Sequence, residues 1–350
     1  MPQHPMDAPI LSLLALRAPG GAPITLEVPP GEAVTLLGAE SGSVVAMVAG
    51  LRRPQSGSVA LAGRGVLGRR RPYPGRGAGA GGLGALIGPA ALLPQRDLAA
   101  NIALGGADAA ALLSELGLSP VARFRPAAVT PAQALRAALA RALAARPALL
   151  LLDPDLAPLD ASERRDFFAR VLALRASRGF AVLHATAEAE DAWALADRVA
   201  VLGPLGIHAA GPPRDLYARP PDVATARALG PANLLPGVLR EVAGEEALVA
   251  LATGKVGAMA HPDLGPGAAC LVLVRPEDVA LLLGTAPGGI EALPAHVAAV
   301  RSHAGWNEVS LALNGVSMVA RRPAAAPLPR AGEPCAVAWP ASRALVLPAE

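Results

Sequence analysis

Residues 34–43 read VTLLGAESGS, an apolar run that ends in glycine and continues into a turn of small residues. The apolar run predicts a buried strand. A glycine-rich turn between a strand and a helix is typical of loops that bind phosphate, because the backbone N–H groups of the turn and the helix point at the anion. This short pattern alone does not decide a function, and the rest of the chain extends it.

Strands and helices alternate downstream of this stretch. Residues 148–153 (ALLLLD) predict a central strand that is buried on both faces and ends in an acid. Helices are predicted over residues 107–118, 130–145, 162–177 and 188–196, and further strands over residues 180–184 and 199–203. Thr130, Pro131 and Gln133 form a capping-box pattern at one helix start. Alternating strands and helices indicate an α/β domain.

Past about residue 230 the sequence changes to short apolar runs separated by glycine and proline turns. The runs predicted as strands are residues 247–251, 269–274, 297–300, 308–313, 316–320 and 334–339. They indicate a small all-β domain, with the boundary near residues 220–236. Residues 63–84 are so rich in glycine that no regular element is expected there.

The composition excludes several classes of protein. The chain has 350 residues, 53% of them apolar and 17% charged, with a formal net charge of +3; neither an acidic disordered chain nor a basic nucleic-acid coat protein fits these values. Two cysteines exclude a disulfide scaffold. Arginines interrupt the longest apolar stretch, so we expect a cytosolic protein without a spanning helix. The single lysine is Lys255, which excludes any mechanism that needs a lysine elsewhere.

Eight landmarks follow one another in a fixed order along the first two thirds of the chain. They are residues 49–51 (AGL), 54–59 (PQSGSV), 92–94 (LLP), 101–103 (NIA), 138–143 (ALARAL), 150–153 (LLLD), 159–160 (LD) and 192–202 (AWALADRVAVL). In this order they resemble the ATP-binding subunits of ABC transporters. Residues 211–235 and the VRPE sequence at 274–277 resemble the linker and the C-terminal TOBE domain of the importer type, in its polyamine, ferric-iron and sulfate branch.

The resemblance implies an α/β P-loop NTPase-type (ABC ATPase) domain over residues 1–230 and a small all-β, OB-like TOBE domain over residues 231–350. It implies ATP and Mg²⁺ as cofactors and ABC permease subunits as partners. It also implies a head-to-tail dimer, with a second copy or with a paralogous ABC ATPase, in which each site joins one subunit's phosphate loop to the other's signature helix. The implied location is cytoplasmic and peripheral, on the inner face of the cell membrane through the permease.

The candidate nucleotide-binding residues are Gly38, Ser41, Gly42 and Ser43, with Ser43 at the hydroxyl position of the family pattern GxxxxGK(S/T). About three residues of that pattern are absent here, and so is its lysine. That lysine contacts the β- and γ-phosphates, so weak or absent ATP binding is expected. The competing interpretation is a turn that only joins a strand to a helix.

The signature motif is replaced by residues 129–133 (VTPAQ), in which Thr130 and Gln133 are the remnant. Proline has no N–H group and alanine adds a Cβ, so the phosphate-binding features are lost while the helix-capping features remain. Gly88 stands where the family has the Q-loop glutamine. Gln95, seven residues later, is expected to be a solvated loop residue.

Asp153 matches the Walker B acid and is the one candidate for holding Mg²⁺, through water. Pro154 stands where the family has the water-orienting glutamate, and Asp155 comes one residue too late to replace it. Asp160 matches the D-loop acid, although a loop acid at a helix start usually serves as a cap. No catalytic residue is therefore assigned with these motifs.

Ala187 stands at the position of the switch histidine, and His184 precedes it by three residues. Residues 11–26 contain no aromatic side chain that could stack on adenine. We therefore expect ATP turnover near the uncatalysed rate. Two functions follow: an importer subunit by descent with impaired chemistry, or a pseudo-ATPase that supports a competent ABC ATPase or the permease.

Two further possibilities come from arginines. Arginines of the glycine-rich stretch could contact a nucleic-acid backbone, but a solvated loop is the simpler interpretation; they are Arg64, Arg69, Arg70, Arg71 and Arg76. In the β domain, Arg275 and Glu277 could bind a small regulatory oxyanion or brace a dimer.

Overall fold

The structure is a computed structural model that describes residues 8–67, 82–106, 108–283 and 292–349. The chain divides into two compact units, Met1–Leu216 and Tyr217–Glu350. The first unit combines helices with strands and the second is built mainly of strands, which confirms the predicted fold class. Two short helices, α7 (Pro213–Ala218) and α8 (Val223–Ala228), lie where the units join in sequence. The domain limits of 1–230 and 231–350 stay a prediction, since they were drawn from motifs and not from packing.

The first unit contains two sheets. Its strands are β1 (Leu11–Arg17), β2 (Pro23–Val28), β3 (Ala33–Leu37), β4 (Ser56–Leu61), β5 (Arg64–Leu67), β6 (Leu83–Gly88), β7 (Leu149–Pro154), β8 (Ala181–Thr186), β9 (Arg198–Gly203) and β10 (Gly206–Gly211). An antiparallel sheet has the order β2-β1-β4-β5, and the central sheet has the order β10-β9-β3-β8-β7-β6. In the central sheet only the β9–β10 pair is antiparallel among the described strands.

The centre of this sheet decides where a site can form. All residues of β3 and β8 are buried, as are the first four of β7, since parallel strands covered on both faces are largely apolar. The polar residues among them are Thr35, His184 and Thr186. Leu37 pairs with Thr186, and Leu152 pairs with His184. The carboxyl ends of β3, β8 and β7 therefore meet at one edge of the sheet, which is where open α/β sheets bind ligands.

Helices cover the sheet of the first unit. They are α1 (Ser41–Val48), α2 (Leu98–Ala103), α3 (Ala109–Glu115), α4 (Pro131–Leu143), α5 (Ala161–Arg178) and α6 (Ala189–Leu195). Leu135, Leu139 and Leu143 of α4 pack into the same core as Phe168 of α5 and Leu150 of β7. The predicted helix over 107–118 is observed as the shorter α3, and residue 107 itself lies outside the described residues.

The prediction for the glycine-rich stretch was wrong at both ends. β5 occupies residues 64–67 and pairs with β4, while β6 begins at residue 83 and pairs with β7, because a neighbouring strand supplies the hydrogen bonds that offset the entropy of glycine. Gly84 has a packing reason, since a Cβ there would lie 2.5 Å from Ala142 O. Of the arginines considered for nucleic-acid binding, only Arg64 is described; Arg69, Arg70, Arg71 and Arg76 lie outside the described residues.

The second unit is an all-β fold, as predicted. Its strands are β11 (Asn233–Ala243), β12 (Glu246–Leu251), β13 (Gly254–Met259), β14 (Ala269–Val274), β15 (Ala280–Leu283), β16 (Leu293–Ser302), β17 (Trp306–Leu313), β18 (Val316–Pro323), β19 (Pro334–Ala338) and β20 (Ala344–Pro348). A closed barrel has the order β11-β12-β13-β20-β14, and a separate sheet has the order β15-β19-β16-β17-β18. A closed five-stranded barrel is consistent with the OB-like prediction. In the described part of the chain, no helix is long and apolar enough to cross a membrane.

Candidate functional site

The candidate nucleotide site lies at the carboxyl edge of the central sheet, where β3 turns into α1. Only Gly38, Ala39 and Glu40 connect the strand to the helix. The Gly38 amide donates to Thr186 O at 2.9 Å, and the Ser41 amide donates back to Gly38 O at 3.1 Å. Gly38 has a φ of +145°, and a Cβ there would lie 3.0 Å from a backbone oxygen of β9. The connection is therefore a tight turn in which the amides of Gly38 and Ser41 bond within the chain.

The two candidate serines are both engaged by the protein. Ser41 is buried, and its Oγ donates to Thr186 O at 3.3 Å. Ser43 lies on the outer side of α1, where its Oγ accepts a hydrogen bond from Arg52 Nη1 at 2.7 Å. Arg52 was not among the candidate residues, since no local sequence pattern predicts a contact across nine residues.

Gly42, not Ser43, faces the Walker B acid. A Cβ on Gly42 would lie 2.8 Å from Asp153 Oδ2, so β7 and α1 approach each other closely at this point. P-loop proteins hold Mg²⁺ between a loop hydroxyl and the Walker B aspartate, and here glycine supplies no hydroxyl. Burial raises the pKa of Asp153, since the carboxylate forms no ion pair or hydrogen bond with any described residue. Across the described residues, no three His, Cys, Asp or Glu side chains come together as a metal site.

Glu40 is the N-cap residue of α1, and its side chain makes no capping hydrogen bond. Negative charge at a helix N-terminus is favourable, which explains an acid at this position. Glu40 also borders a cavity of about 350 Å³, which we call the α1 cavity. The residues that line it are Ala18, Pro19, Gly20, Gly21, Ala22, Ile24, Glu40, Val44, Met47, Leu202, Gly203, Pro204 and Gly206. Glu40 was not among the candidate residues, although an acid at the start of a helix is favoured by the helix dipole.

The residues after Asp153 form a turn that directs the side chain of the next acid, Asp155, away from the candidate nucleotide site. Pro154 ends β7 beside Gly88. The Asp155 amide donates to Gly88 O at 2.9 Å, and Asp155 Oδ1 accepts a hydrogen bond from the Ala157 amide at 3.1 Å. Gly88 has a φ of +68°, and a Cβ there would meet nothing within 4 Å. A glutamine at this position would thus have space but would need a strained backbone.

His184 lies inside β8 and does not face the site as a switch residue would. It is 1% exposed, its Nδ1 lies 3.1 Å from Thr35 Oγ1, and its ring meets that of Phe168 edge to face. Burial lowers the pKa of His184 to about 3, so the ring is neutral at physiological pH.

A cavity of about 220 Å³ lies between Asp153, Ala187 and the start of α6. Arg164 Nη1 lies 3.5 Å from Asp191 Oδ1 at its wall. Asp191 Oδ2 also accepts a hydrogen bond from Thr186 Oγ1 at 3.3 Å. Arg164 and Asp191 were not singled out from the sequence; their pairing joins α5 to α6, so no arginine replaces the missing lysine here.

The remnant of the signature motif and the D-loop acid are both helix caps. Thr130 Oγ1 accepts from the Gln133 amide at 3.2 Å, and Gln133 Oε1 accepts from the Thr130 amide at 3.0 Å. This is the capping box that the sequence predicted. Asp160 Oδ1 likewise accepts from the amides of Ser162 and Glu163, at 2.7 and 2.8 Å. These side chains hold the first turns of α4 and α5.

Arg275 makes its hydrogen bonds within the second unit. Its Nη1 donates to Ala226 O and Pro231 O, each at 3.0 Å, and its Nη2 donates to Tyr217 O at 3.0 Å. The guanidinium lies 3.8 Å above the Tyr217 ring, and the Tyr217 hydroxyl donates to Glu277. Arg275 is 5% exposed. It therefore clamps the backbone around α8 and leaves little of its charge for an oxyanion.

An exposed apolar and basic patch surrounds α2, and we call it the α2 patch. Leu93, Leu104 and Phe124 are 37%, 50% and 50% exposed. Leu93 is held beside α2 by the Asn101 amide, and Phe124 O accepts from the first amide of α2. Three exposed arginines flank these side chains: Arg96, Arg123 and Arg125. Exposed apolar residues rimmed by charge mark interaction surfaces.

Comparison with known proteins identifies the same family that the sequence landmarks resemble. The ABC transporter family model matches residues 22–156. The chain is 32% identical to the spermidine/putrescine import ATP-binding protein PotA of Rubrobacter xylanophilus, over 93% of this chain and 88% of the relative. It is 36% identical to the Fe(3+) ions import ATP-binding protein FbpC of Streptomyces coelicolor, over 73% of each chain. It is 32% identical to the PotA protein of Methylococcus capsulatus, over 73% of this chain and 68% of the relative.

Proposed function

The chain belongs to the ABC transporter family, among the ATP-binding subunits of importers, and from this premise we propose that it serves an import system without hydrolysing ATP itself. The observation that carries the proposal is the turn between β3 and α1. It has three residues, its Gly38 and Ser41 amides bond within the chain, and Glu40 stands at the helix start. A phosphate loop needs free amides and a lysine at this point.

The residues present do not fit a magnesium triphosphate. Glu40 places negative charge at the N-terminus of α1, and the one lysine of the chain, Lys255, belongs to the second unit. Gly42 offers no hydroxyl opposite Asp153. Family membership implies ATP and Mg²⁺ as cofactors; we propose that this subunit binds them weakly or not at all.

The water-orienting part of the site supports the same conclusion. Pro154 replaces the glutamate, and the Asp155 carboxylate caps the Ala157 amide. Losing one electrostatic contact to a transition state costs on the order of 3–4 kcal/mol. Losing the lysine and the water-orienting group together brings the rate near the uncatalysed limit, because such losses do not add beyond it. No hydrolytic step is assigned to these residues.

We propose a structural or regulatory role within the assembled importer. In a head-to-tail dimer, each site would combine one subunit's phosphate loop with the other's signature helix. Both halves are altered in this chain, since the turn lacks a lysine and residues 129–133 serve as a helix cap. A homodimer would then have no complete nucleotide site. In a heterodimer with a competent paralogue, each of the two sites would contain one altered half. This pattern favours support of the assembly over a share in catalysis.

We propose that ABC permease subunits bind the α2 patch and hold the protein at the inner face of the cell membrane, in the cytoplasm. Leu93 and Phe124 would enter an apolar contact, and the surrounding arginines would pair with acidic groups. Residues 231–350, within the Tyr217–Glu350 unit, would be the TOBE-like domain. The relatives are named for the import of spermidine/putrescine and of Fe(3+) ions, which supports a polyamine-like or iron-like solute as part of this proposal.

The test is ATP hydrolysis by the assembled importer. The purified chain is compared with the Streptomyces coelicolor relative, each alone and with its own permease, together with an Asp153→Ala variant of the chain. We expect phosphate release near the buffer rate, unchanged by Asp153→Ala, while the relative turns over. Turnover of the chain at the relative's rate that Asp153→Ala abolishes would contradict the proposal.

A further inference from the structure

A second cavity of the first unit, which we call the basal cavity, lies at the amino-terminal edge of the central sheet. Its volume is about 440 Å³, within the range of small-molecule sites. Pro147, which precedes β7, and Phe180, which precedes β8, line it. The candidate nucleotide site lies at the carboxyl ends of the same strands, so a ligand in the basal cavity would bind independently of a nucleotide.

Four charged side chains line the basal cavity and form one chain of ion pairs. Arg146 Nη2 donates to Asp108 Oδ1 at 3.1 Å, and Arg178 Nη1 donates to Asp108 Oδ2. Arg178 Nη2 and Nε donate to the two carboxylate oxygens of Glu115, at 2.8 and 3.2 Å. The charges therefore alternate in sign from Arg146 to Glu115 and sum to zero. Net charge at this cavity attracts neither a simple anion nor a simple cation.

The two inner members of the chain have their hydrogen bonds filled, and the two end members do not. Asp108 has a partner on each oxygen, and all three guanidinium nitrogens of Arg178 donate. The Arg146 side chain is 77% exposed, and among the described residues only Asp108 accepts from its guanidinium. The Glu115 side chain is 40% exposed, and its carboxylate can accept further hydrogen bonds. A ligand would therefore find free N–H donors at one end and a carboxylate at the other.

The rest of the wall and the spacing of the ends restrict the body of the ligand. Leu143 and Phe180 are buried core residues that line the cavity together with Pro147, and such a wall favours methylene groups over polar ones. Contacts of about 3 Å alternate with side-chain groups about 2 Å wide, which puts the two ends on the order of 10 Å apart. An α-amino acid carries both charges on one carbon and is too short to reach both ends.

We propose that the basal cavity binds a linear zwitterion, in which an apolar chain separates a carboxylate held by Arg146 from an ammonium group held by Glu115. An ω-amino carboxylate such as 6-aminohexanoate has this form. The inference does not rest on the proposed function, because the residues that carry it lie away from the candidate nucleotide site and no hydrolytic step is involved.

Calorimetric titration of the full-length protein at low salt tests the requirement for both charges. The probes are 6-aminohexanoate, hexanoate, hexylamine and glycine. We expect 6-aminohexanoate to bind about fivefold more tightly than hexanoate or hexylamine, which is the upper range for one contact with an exposed charge. Glycine should not bind, and the preference for 6-aminohexanoate should shrink at high salt because screening weakens both ion pairs.

Substitutions at the two ends assign each charge of the ligand to its partner. Arg146→Gln leaves Asp108 paired with Arg178, and 6-aminohexanoate should then bind no better than hexylamine. In Glu115→Gln, 6-aminohexanoate should bind no better than hexanoate. Arg240→Gln removes one positive charge at an exposed position of the second unit and should keep the preference of the wild type.

A further variant places the ligand inside the basal cavity while keeping all four charges. Ala111 is an exposed residue of α3 that lines the cavity, so Ala111→Trp fills space without disturbing the core. It should abolish binding of 6-aminohexanoate while the far-ultraviolet circular dichroism spectrum stays unchanged. Failure of 6-aminohexanoate to bind the folded wild type, equal binding of the three six-carbon probes, or a preference that survives in both glutamine variants would overturn the inference. None of these results involves phosphate release, which judges the proposed function separately.

Discussion

Acid should destabilise the first unit through one buried side chain, His184. The ring is 1% exposed and lies against Thr35 and Phe168. Burial lowers its pKa to about 3, from an ordinary value of 6.5. The unfolded chain therefore takes up a proton in a pH range where the folded chain does not, and stability falls as the pH falls from about 6.5 towards 3.

The size of the effect follows from the two pKa values. At pH 5 the unfolded histidine is almost fully protonated and the folded one is neutral, which lowers the free energy of unfolding by about 2 kcal/mol relative to pH 7. Replacement of His184 by glutamine removes this contribution. The variant loses packing at every pH, but its loss between pH 7 and pH 5 should be smaller than that of the wild type by the same ~2 kcal/mol.

Urea unfolding followed by far-ultraviolet circular dichroism is the assay, because α1 to α6 all belong to the first unit. His296→Gln, at an exposed position of the second unit, is the matched control and should keep the wild-type difference. Equal pH dependence in the wild type and in His184→Gln would refute the reasoning, since it would mean that the buried ring does not stay neutral.

Two further substitutions test residues of the candidate site. Asp153→Asn should raise the free energy of unfolding at pH 7, because burial raises the pKa of Asp153 and makes its ionised form unfavourable. This gain in stability should vanish at a pH low enough to protonate the carboxyl group in both the folded and the unfolded state. A lower free energy of unfolding for the variant at pH 7, measured by urea unfolding, would contradict the prediction. Thr130→Ala should cost about 1 kcal/mol by breaking the capping box, whereas Thr130→Ser should keep the bond and the melting temperature; equal melting temperatures for both variants would show that the cap is not needed.

The sequence predicts the fold well where pattern and packing agree. The ALLLLD run became β7, and Thr130 with Gln133 became the capping box, because burial on both faces and helix capping leave local signals. The first antiparallel sheet was not predicted. In β1 the register shifts between Leu13 and Leu16, and Ala15 has a φ of +47°, so the alternation that identifies a strand is broken.

The sequence predicts which family residues the candidate site lacks, but it predicts the geometry of the site less well. The missing lysine, Pro154 and Ala187 are visible in the sequence itself. Which residue of α1 faces Asp153 depends on the phase of the helix, since one position turns a side chain by about 100°. The shortened turn sets that phase, and the structure places Gly42 there. Glu40 borders a cavity formed by three separate segments, which no local pattern reveals.

The brevity of the link between Leu37 and Ser41 limits how the protein could be re-engineered. Libraries of point substitutions exchange side chains but never lengthen a backbone, so no combination of them can recreate a loop that wraps around a polyphosphate. To build a phosphate-binding loop here, an engineer would have to insert residues between Leu37 and Ser41. The hydrogen bond from the Gly38 amide to Thr186 O would then have to form again. Under the proposed function, a point substitution would not restore ATP hydrolysis, and the protein would then suit studies of importer assembly that need a subunit without ATPase activity.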